Sequence, residues 1–344
     1  MKTILLKSLF AFLVLILIAS LALCAICYET MRRYDGRRTA GLLPPAGEFL
    51  YPEKRGVTFA VFGDFRMQLD PFRELMAKIR AARPDFMLNV GDMSAVLSTQ
   101  HFNWMAEHMK REAGGIPVYA TPGNHDRKKE SPYDNGRHFY REVFGPSRYW
   151  FGYGNILFVS LDTADRELPE AQIEWLDSLL GQLRSHFDHL VIFTHVPPID
   201  PRPVKEKRGL PAVQAARLEA VLKKHRVSAF FAGHQHQENI WNFAGAPLAV
   251  TPPSGQEGRG DEQDFGYLIC EVTPEGAFKI RREYLDASAG TDALDFPLVI
   301  ATLRVPGRDC VYVDHAMAGS QAARCLISRG YDAFAFAGTP GEDK

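Results

Sequence analysis

The chain has 344 residues, of which 46% are hydrophobic and 24% are charged. This composition is typical of a folded domain and excludes wholesale disorder and a collagen-like repeat. Because 40 basic residues face 41 acidic ones, the net charge of −1 gives no support for bulk electrostatic binding to nucleic acid. We therefore infer no specific nucleic-acid or protein partner. The 5 cysteines are too few for a disulfide scaffold.

The N-terminal region contains a long apolar run, Leu9–Tyr28, which has no charged residue. A helix of about 20 apolar residues crosses the ~30 Å hydrocarbon core of a bilayer. The run therefore predicts an N-terminal transmembrane helix that anchors a single-pass membrane protein. A cleaved signal peptide is the alternative, although the apolar region of such peptides usually has only about 7–15 residues. Positive charges flank both ends of the run, and the short N-terminal tail favours an extracytoplasmic catalytic domain.

Four regions are predicted along the chain. Residues 1–28 form the membrane anchor or signal segment. Residues 29–55, which are rich in glycine and proline, are predicted to be a linker. Residues 56–286 form the main domain. Residues 287–344 are a C-terminal extension to which the sequence assigns no role.

From Val57 onward, short apolar runs alternate with stretches of helical periodicity. The predicted elements, in chain order, are strand Val57–Phe62, helix Phe72–Arg83, strands Phe86–Val90, Val118–Ala120 and Ile156–Leu161, helix Pro169–Leu183, strand Leu190–Thr194, helix Val213–His225 and strand Val227–Ala232. Three β-like segments follow, at Leu248–Thr251, Tyr267–Val272 and Phe278–Tyr284. This alternation predicts a layered α/β domain in which helices cover the sheets.

Polar side chains cluster where the predicted strands end, which is where open α/β sheets bind their ligands. Each of these motifs alone is weak evidence for a ligand site, since Gly-Asp after a strand is commonly a plain turn. Together they form an ordered set: Asp64, Asp92, Asn124 with His125 and Asp126, His195, and His234 with His236.

Carboxylate, amide oxygen and imidazole together suit divalent metals such as Mn, Fe or Zn. One carboxylate can bridge two ions, and two ions about 3.5–4 Å apart can hold a hydroxide and a phosphoryl group. The set therefore predicts two divalent metal ions as cofactors and a phosphorylated substrate.

In this order the residues resemble the signature of the calcineurin-like metallophosphoesterases, which runs D-x-H, G-D, G-N-H-[D/E], a lone His and G-H-x-H. The chain has Gly63-Asp64-Phe65-Arg66, Gly91-Asp92, Gly123-Asn124-His125-Asp126, Thr194-His195 and Gly233-His234-Gln235-His236. The resemblance covers about Val57 to Tyr284. It implies an α/β/β/α sandwich and a membrane-tethered, metal-dependent phosphohydrolase that cleaves phosphate mono- or diesters by metal-activated hydroxide.

The resemblance also implies a role for each residue. Asp92 would bridge both ions. The other ligands divide between the ions, with Asp64 and His236 on the first and Asn124, His195 and His234 on the second. His125 would face the phosphate as general acid or transition-state stabiliser, and Asp126 would orient the His125 ring.

Arg66 departs from the pattern, because it stands where the signature has the histidine of D-x-H. A guanidinium has no free lone pair and cannot bind a metal cation. Three interpretations follow. Arg66 binds the substrate phosphate, or the first metal binds weakly, or the chain is a catalytically impaired binding protein that keeps the fold.

Overall fold

The computed structural model describes residues 42–66, 68–94, 99–127, 137–255 and 265–285. The predicted membrane segment and the C-terminal extension lie outside these ranges. Within them, no helix combines the length and the apolar character that crossing a bilayer requires.

Twelve strands and five α-helices are present in the described ranges. The strands are β1 (Phe49–Leu50), β2 (Val57–Phe62), β3 (Phe86–Asn89), β4 (Val118–Ala120), β5 (Tyr149–Tyr153), β6 (Ile156–Ser160), β7 (His189–Phe193), β8 (Ala229–Ala232), β9 (Asn239–Phe243), β10 (Ala246–Val250), β11 (Gly266–Val272) and β12 (Phe278–Tyr284). The helices are α1 (Leu69–Ala82), α2 (Thr99–Ala113), α3 (His138–Phe144), α4 (Glu170–Leu183) and α5 (Ala212–His225), and a 3₁₀ turn covers Arg184–His186.

The strands form two sheets. The 7-stranded sheet has the order β1-β5-β6-β7-β8-β10-β9, and the 5-stranded sheet has the order β12-β11-β2-β3-β4. Strands β2, β3 and β4 are mutually parallel, as are β6, β7 and β8. The carboxyl ends of each parallel set therefore lie at one edge of its sheet. The candidate site lies at these strand ends.

The two sheets pack face to face, and helices cover their outer faces. In β2 the side chains alternate, so that Phe59 and Val61 enter the core between the sheets while Ala60 and Phe62 face α1, α2 and α3. Burial on both faces explains why this strand is apolar except for the half-buried Thr58. On the other sheet, a separate core joins β6, β7 and β8 to α4 and α5. The result is a layered α/β domain, as the sequence pattern predicts, with the α/β/β/α order that the family resemblance implies.

Most predicted elements match the structure to within a few residues, but five were not predicted. These are β1, α2, α3, β5 and β9. Helix α2 buries Phe102, Met105, Ala106 and Met109, which have the 3–4 residue spacing of an amphipathic helix.

The start of the domain also differs from the predicted boundary. Part of the proposed 29–55 linker belongs to the fold, because Phe49 and Leu50 form β1, which pairs in parallel with β5, and Leu42 is buried.

Candidate metal centre

The two sheets bring their strand ends together at one place. Asp64 follows β2 and Asp92 follows β3, whereas His195 follows β7 and His234 follows β8. Contacts cross between the sheets, since Asp64 Oδ2 accepts a hydrogen bond from the His234 amide at 2.9 Å and Asp92 Oδ1 lies 3.3 Å from His195 Nε2. Residues far apart in the sequence therefore form a single cluster.

One group of possible metal ligands consists of Asp64, Asp92 and His236, whose ligand atoms all lie within 4.8 Å of one another. Asp64 Oδ1 is 3.4 Å from His236 Nε2. Asp64 Oδ1 and Asp92 Oδ2 are buried and accept no hydrogen bond from the described residues. Buried carboxylate oxygens without a donor are costly, and a cation between them would remove that cost. The residues present therefore fit a divalent metal ion.

The second group is built around His195, which is fully buried. Its Nδ1 lies 2.8 Å from the Val90 carbonyl oxygen, and its Nε2 lies 3.1 Å from Asn124 Oδ1 and 3.3 Å from Asp92 Oδ1. If Nδ1–H donates to the carbonyl, Nε2 presents a lone pair. Three acceptor atoms then face one another, an arrangement that a cation would stabilise. The ring of His234 is 5.0 Å from that of His195.

The electrostatic environment favours the protonation states that metal ligands need. Burial lowers the pKa of His234 to about 2, and the charges of Arg166 and Arg208 contribute to this shift. Burial alone would raise the pKa of Asp64, but contacts with His236 and His195 lower it below its usual range. His234 is therefore a neutral imidazole and Asp64 an ionised carboxylate at neutral pH.

The backbone of the site is strained. Asp64, Arg66, Asp92, His234 and His236 have φ values of 55°, 38°, 54°, 69° and 53°. Non-glycine residues rarely adopt this left-handed region, and such strain is concentrated at functional sites.

Two glycines of the motifs permit close approach at the site. A Cβ on Gly123 would lie 2.2 Å from Asp92 Oδ1, and a Cβ on Gly233 would lie 2.5 Å from Asp64 Oδ2. Any side chain at either position would displace a carboxylate of the site. This explains physically why glycine stands at the start of G-N-H-D and of G-H-x-H.

His125 lies at the mouth of the cluster. Its amide donates to Asp92 Oδ1 at 2.9 Å, whereas its Nε2 is 4.0 Å from Asp92 Oδ2 and its side chain is 42% exposed. Burial lowers the pKa of His125 to about 4; Asp92 opposes this shift and Arg66 adds to it. His125 is therefore neutral at pH 7 in the metal-free protein, and it can donate a hydrogen bond but is a poor source of a full proton.

The contacts of Asp126 differ from the prediction that it orients the His125 ring. Its Oδ1 accepts hydrogen bonds from the amides of Met93 and Ser94 at 2.9 and 2.8 Å, and its Oδ2 accepts one from the Gly123 amide at 2.8 Å. Because both oxygens bind the backbone, Asp126 joins the loops after β3 and β4. Burial raises the pKa of Asp126 to about 7, and the charge of Asp92 contributes.

Arg66 points into the site. Its Nη2 is 3.9 Å from Asp92 Oδ2, the oxygen that accepts no hydrogen bond, and its side chain is 21% exposed. The Nε of Arg66 is buried, and no described residue accepts a hydrogen bond from it. The guanidinium thus faces the site with hydrogen-bonding capacity left for a ligand.

Buried polar contacts support the loop that carries His195, and the sequence analysis did not identify them. Thr163 Oγ1 is 2.7 Å from Thr194 Oγ1. The neighbouring Asp162 is fixed by Gln172, whose Nε2 donates to its carbonyl at 2.9 Å and whose Oε1 accepts from its amide at 2.8 Å. The signals in the sequence were Asp162 and Thr163 directly after a predicted strand and Gln172 on the helix that follows.

Comparison with known proteins gives a family match over the part of the chain that contains the site. The family model described as calcineurin-like phosphoesterase matches residues 57–238, which is more than half of the chain. A search of curated proteins gives no match.

Three solved structures share the fold. A dimetal phosphatase from Danio rerio has 16% identity and a TM-score of 0.50, with 67% of this chain and 98% of that chain covered. PhoD has 14% identity and a TM-score of 0.51, with 83% and 80% covered. GAP50, the anchor in the inner membrane complex of Plasmodium, has 15% identity and a TM-score of 0.51, with 69% and 87% covered.

The family match extends from β2 to the loop after β8 and so includes every residue of the metal centre. The chain therefore belongs to the calcineurin-like phosphoesterase family, the metal-dependent hydrolases of phosphate esters.

Proposed function

We propose that the protein hydrolyses phosphate mono- or diesters at a site for two divalent metal ions, with Mn, Fe or Zn the best chemical fit. One observation carries this proposal. Asp92 lies between two groups of ligand-type atoms, one with Asp64 and His236 and the other with Asn124 and His195. A shared carboxylate of this kind is suited to bridging two ions.

The ligand residues would form two groups, one for each metal ion. Asp92 would contact both ions. The others would hold one ion each, with Asp64 and His236 on the first and Asn124, His195 and His234 on the second. In such a site, bound ions supply a water activated as nucleophile and neutralise the charge on the phosphoryl group.

In this proposal Arg66 binds the phosphate of the substrate. A guanidinium offers two parallel N–H donors to phosphate oxygens, and such charge-assisted pairs are strong. The unpartnered Nε and the orientation toward Asp92 support this role. The first metal would then have one protein ligand fewer than the family pattern, and water would complete its coordination.

His125 would act on the departing or transferring group. Its ring is at the mouth of the site, and its low pKa makes it a neutral hydrogen-bond donor before metal and substrate bind. Stabilisation of the transition state is therefore favoured over proton donation from a preformed imidazolium.

The membrane location is a further part of the proposal. The apolar run Leu9–Tyr28 would tether the enzyme to the bilayer with the catalytic domain outside the cytoplasm. The substrate class is a phosphorylated compound.

The test is an assay of the full-length protein with Mn²⁺ on p-nitrophenyl phosphate and bis-p-nitrophenyl phosphate. We expect turnover of at least one compound, loss of turnover with a chelator, and recovery on adding metal. Asp92→Asn should abolish turnover and reduce bound metal, because one carboxylate serves both ions. An Asp92→Asn variant with wild-type activity would contradict the two-metal assignment.

A second candidate function is binding without turnover. It is favoured by a single observation, the cationic Arg66 in place of a metal-binding histidine beside Asp92. A folded, metal-loaded protein that binds phosphate but turns over neither compound would support this candidate.

A further inference from the structure

The loop between β7 and α5 lies against the G-H-x-H segment and is built around one carboxylate, Asp200, whose side chain has no solvent exposure. The base of this loop is closed by the Leu210 amide, which donates to the Pro197 carbonyl oxygen at 3.0 Å. A Cβ on Gly209 would lie 3.0 Å from the Asp200 amide nitrogen. The two ends of the loop are therefore packed closely together, and Asp200 lies where they meet.

Asp200 binds two arginines of its own loop. Its Oδ1 accepts a hydrogen bond from Arg202 Nε and its Oδ2 accepts one from Arg202 Nη2, both at 2.8 Å. The same Oδ2 accepts a third from the Arg208 amide, also at 2.8 Å. A two-pronged pair between guanidinium and carboxylate is strong and fixes the orientation of both groups. Asp200 thus sets the direction of the Arg202 side chain and the position of the backbone at Arg208.

Both arginines reach from this loop to the G-H-x-H segment. Arg208 Nη1 donates to the His234 carbonyl oxygen at 2.9 Å. Arg202 Nη1, which Asp200 does not bind, donates to Gln237 Oε1 at 3.3 Å. The two contacts fall at the two ends of the stretch from His234 to Gln237, so they enclose both imidazoles that are assigned to the metal ions.

This stretch needs support from its neighbours, because its backbone is strained at both histidines. The φ values of His234 and His236 are 69° and 53°, and such conformations persist only where the surrounding structure imposes them. The backbone of His234 is held through both of its polar groups. Its amide donates to Asp64 Oδ2 at 2.9 Å, and its carbonyl oxygen accepts from Arg208.

We propose that Asp200, Arg202 and Arg208 are positioning residues of the metal centre. Asp200 orients the two arginines, and the arginines hold the G-H-x-H segment so that its two imidazoles face the ions. None of the three contacts metal or substrate in this role. This inference rests on the proposed function, because it takes the two histidines as ligands. Groups that hold metal ligands in place typically contribute about 10–100-fold to metal affinity.

The first test is a titration of the full-length, metal-free protein with Mn²⁺, in which free Mn²⁺ is followed by electron paramagnetic resonance. We expect Arg208→Ala to weaken one of the two binding sites, the one to which His234 belongs, by roughly 10–100-fold. Arg208 makes a single contact with the carbonyl oxygen, and a lysine ammonium can also donate to it. Arg208→Lys should therefore recover most of the affinity.

The matched control is Arg184→Ala. Arg184 is half-buried like Arg208, and its Nε donates to a backbone carbonyl oxygen, that of His225, at 2.8 Å. It precedes β7 and contacts the chain before β8, so it lies at the strand ends away from the metal centre. We expect Arg184→Ala to lower the melting temperature of the metal-free protein without changing Mn²⁺ affinity. The comparison thus separates general loss of stability from loss of positioning.

Asp200→Asn tests the carboxylate itself. Asparagine keeps the shape of the side chain, but it removes the charge and turns an NH₂ group toward the donors of Arg202 and Arg208. Because both arginine contacts depend on Asp200, we expect this variant to weaken both Mn²⁺ sites, whereas Arg208→Ala weakens one. If Arg208→Ala does not fold, Asp200→Asn decides the proposal in its place.

Unchanged Mn²⁺ affinity in Arg208→Ala, or an equal loss in Arg184→Ala, would overturn the proposal. Failure of Arg208→Lys to recover affinity would also overturn it. These measurements do not depend on turnover, so they separate this inference from the proposed function. A wild type that binds Mn²⁺ but hydrolyses neither nitrophenyl compound would contradict the proposed function alone, and the titrations would still decide the positioning role. A wild type that binds no Mn²⁺ would overturn both.

Discussion

Arg66 is the residue that most distinguishes this site from the family pattern. The sequence shows that a ligand is replaced, but it does not show where the replacing side chain points. In the structure the guanidinium faces Asp92 with an unused buried Nε. Its contribution to substrate binding can therefore be tested apart from its effect on metal binding.

We expect Arg66→Ala to lower kcat/KM for p-nitrophenyl phosphate by about 10–150-fold, because it removes charge-assisted hydrogen bonds worth roughly 1.5–3 kcal/mol. Arg66→His should restore the ligand of the family pattern and tighten the first metal. Titration of activity against Mn²⁺ for the three proteins measures both effects. Unchanged kcat/KM in Arg66→Ala at saturating metal would exclude the phosphate contact.

The proposed role of His125 is also that of a single residue, because it depends on one imidazole ring. We expect His125→Ala to lower kcat by about 10²–10⁴-fold while metal content stays constant. Activity assays and elemental analysis of the purified variant give the two measurements. Loss of a metal ion from the variant would instead identify His125 as a ligand.

At the scale of elements, the site depends on how loops are held at the strand ends. The strands themselves are predictable from apolar runs, and the ligand positions follow from parallel strands ending at one edge, as with Asp64 after β2 and His195 after β7. The role of Asp126 could not be predicted, because its hydrogen bonds reach the amides of Met93 and Ser94, more than 30 positions earlier in the chain.

Asp126→Ala should therefore affect both stability and metal binding. It leaves three backbone N–H groups without their acceptor, which we expect to cost about 2–4 kcal/mol of unfolding free energy. Metal affinity should also fall, because the two joined loops carry Asp92 and Asn124. Denaturant unfolding and metal titration measure these effects, and Glu174→Ala, an exposed position on α4, is the control. A variant with wild-type stability would show that the loops are held by other contacts.

At the scale of the whole molecule, the layered α/β architecture is predictable from the alternation of short apolar runs with stretches of helical periodicity. Strand β2 is apolar on both faces because both faces are buried, and its neighbours follow the same rule. The edge strand β1 was not predicted, because it has only two residues and lies in a segment rich in turn-forming residues.

His101 on α2 gives the folded state a dependence on pH. Burial lowers the pKa of His101 to about 4 from an ordinary value of 6.5. Between these values the unfolded chain takes up a proton and the folded chain does not, so stability falls as the pH drops from about 6.5 to about 4. His101→Gln should remove this part of the acid sensitivity, at most about 3 kcal/mol. Urea unfolding at pH 7 and pH 5 measures it, with His186→Gln as the exposed control. Equal pH dependence in His101→Gln and the wild type would contradict the assignment.

The proposed membrane location depends on the run Leu9–Tyr28. An uncharged run of this length should keep the full-length protein in the membrane fraction after a carbonate wash, because about 20 apolar residues can span the hydrocarbon core. Deletion of residues 1–30 should release the protein while leaving the metal centre, which begins at Asp64, intact. Fractionation followed by immunoblotting measures the first effect, and Mn²⁺-dependent turnover of the released protein measures the second. N-terminal sequencing separates the remaining alternative, since a soluble mature chain beginning near Ala25 would identify the run as a cleaved signal peptide.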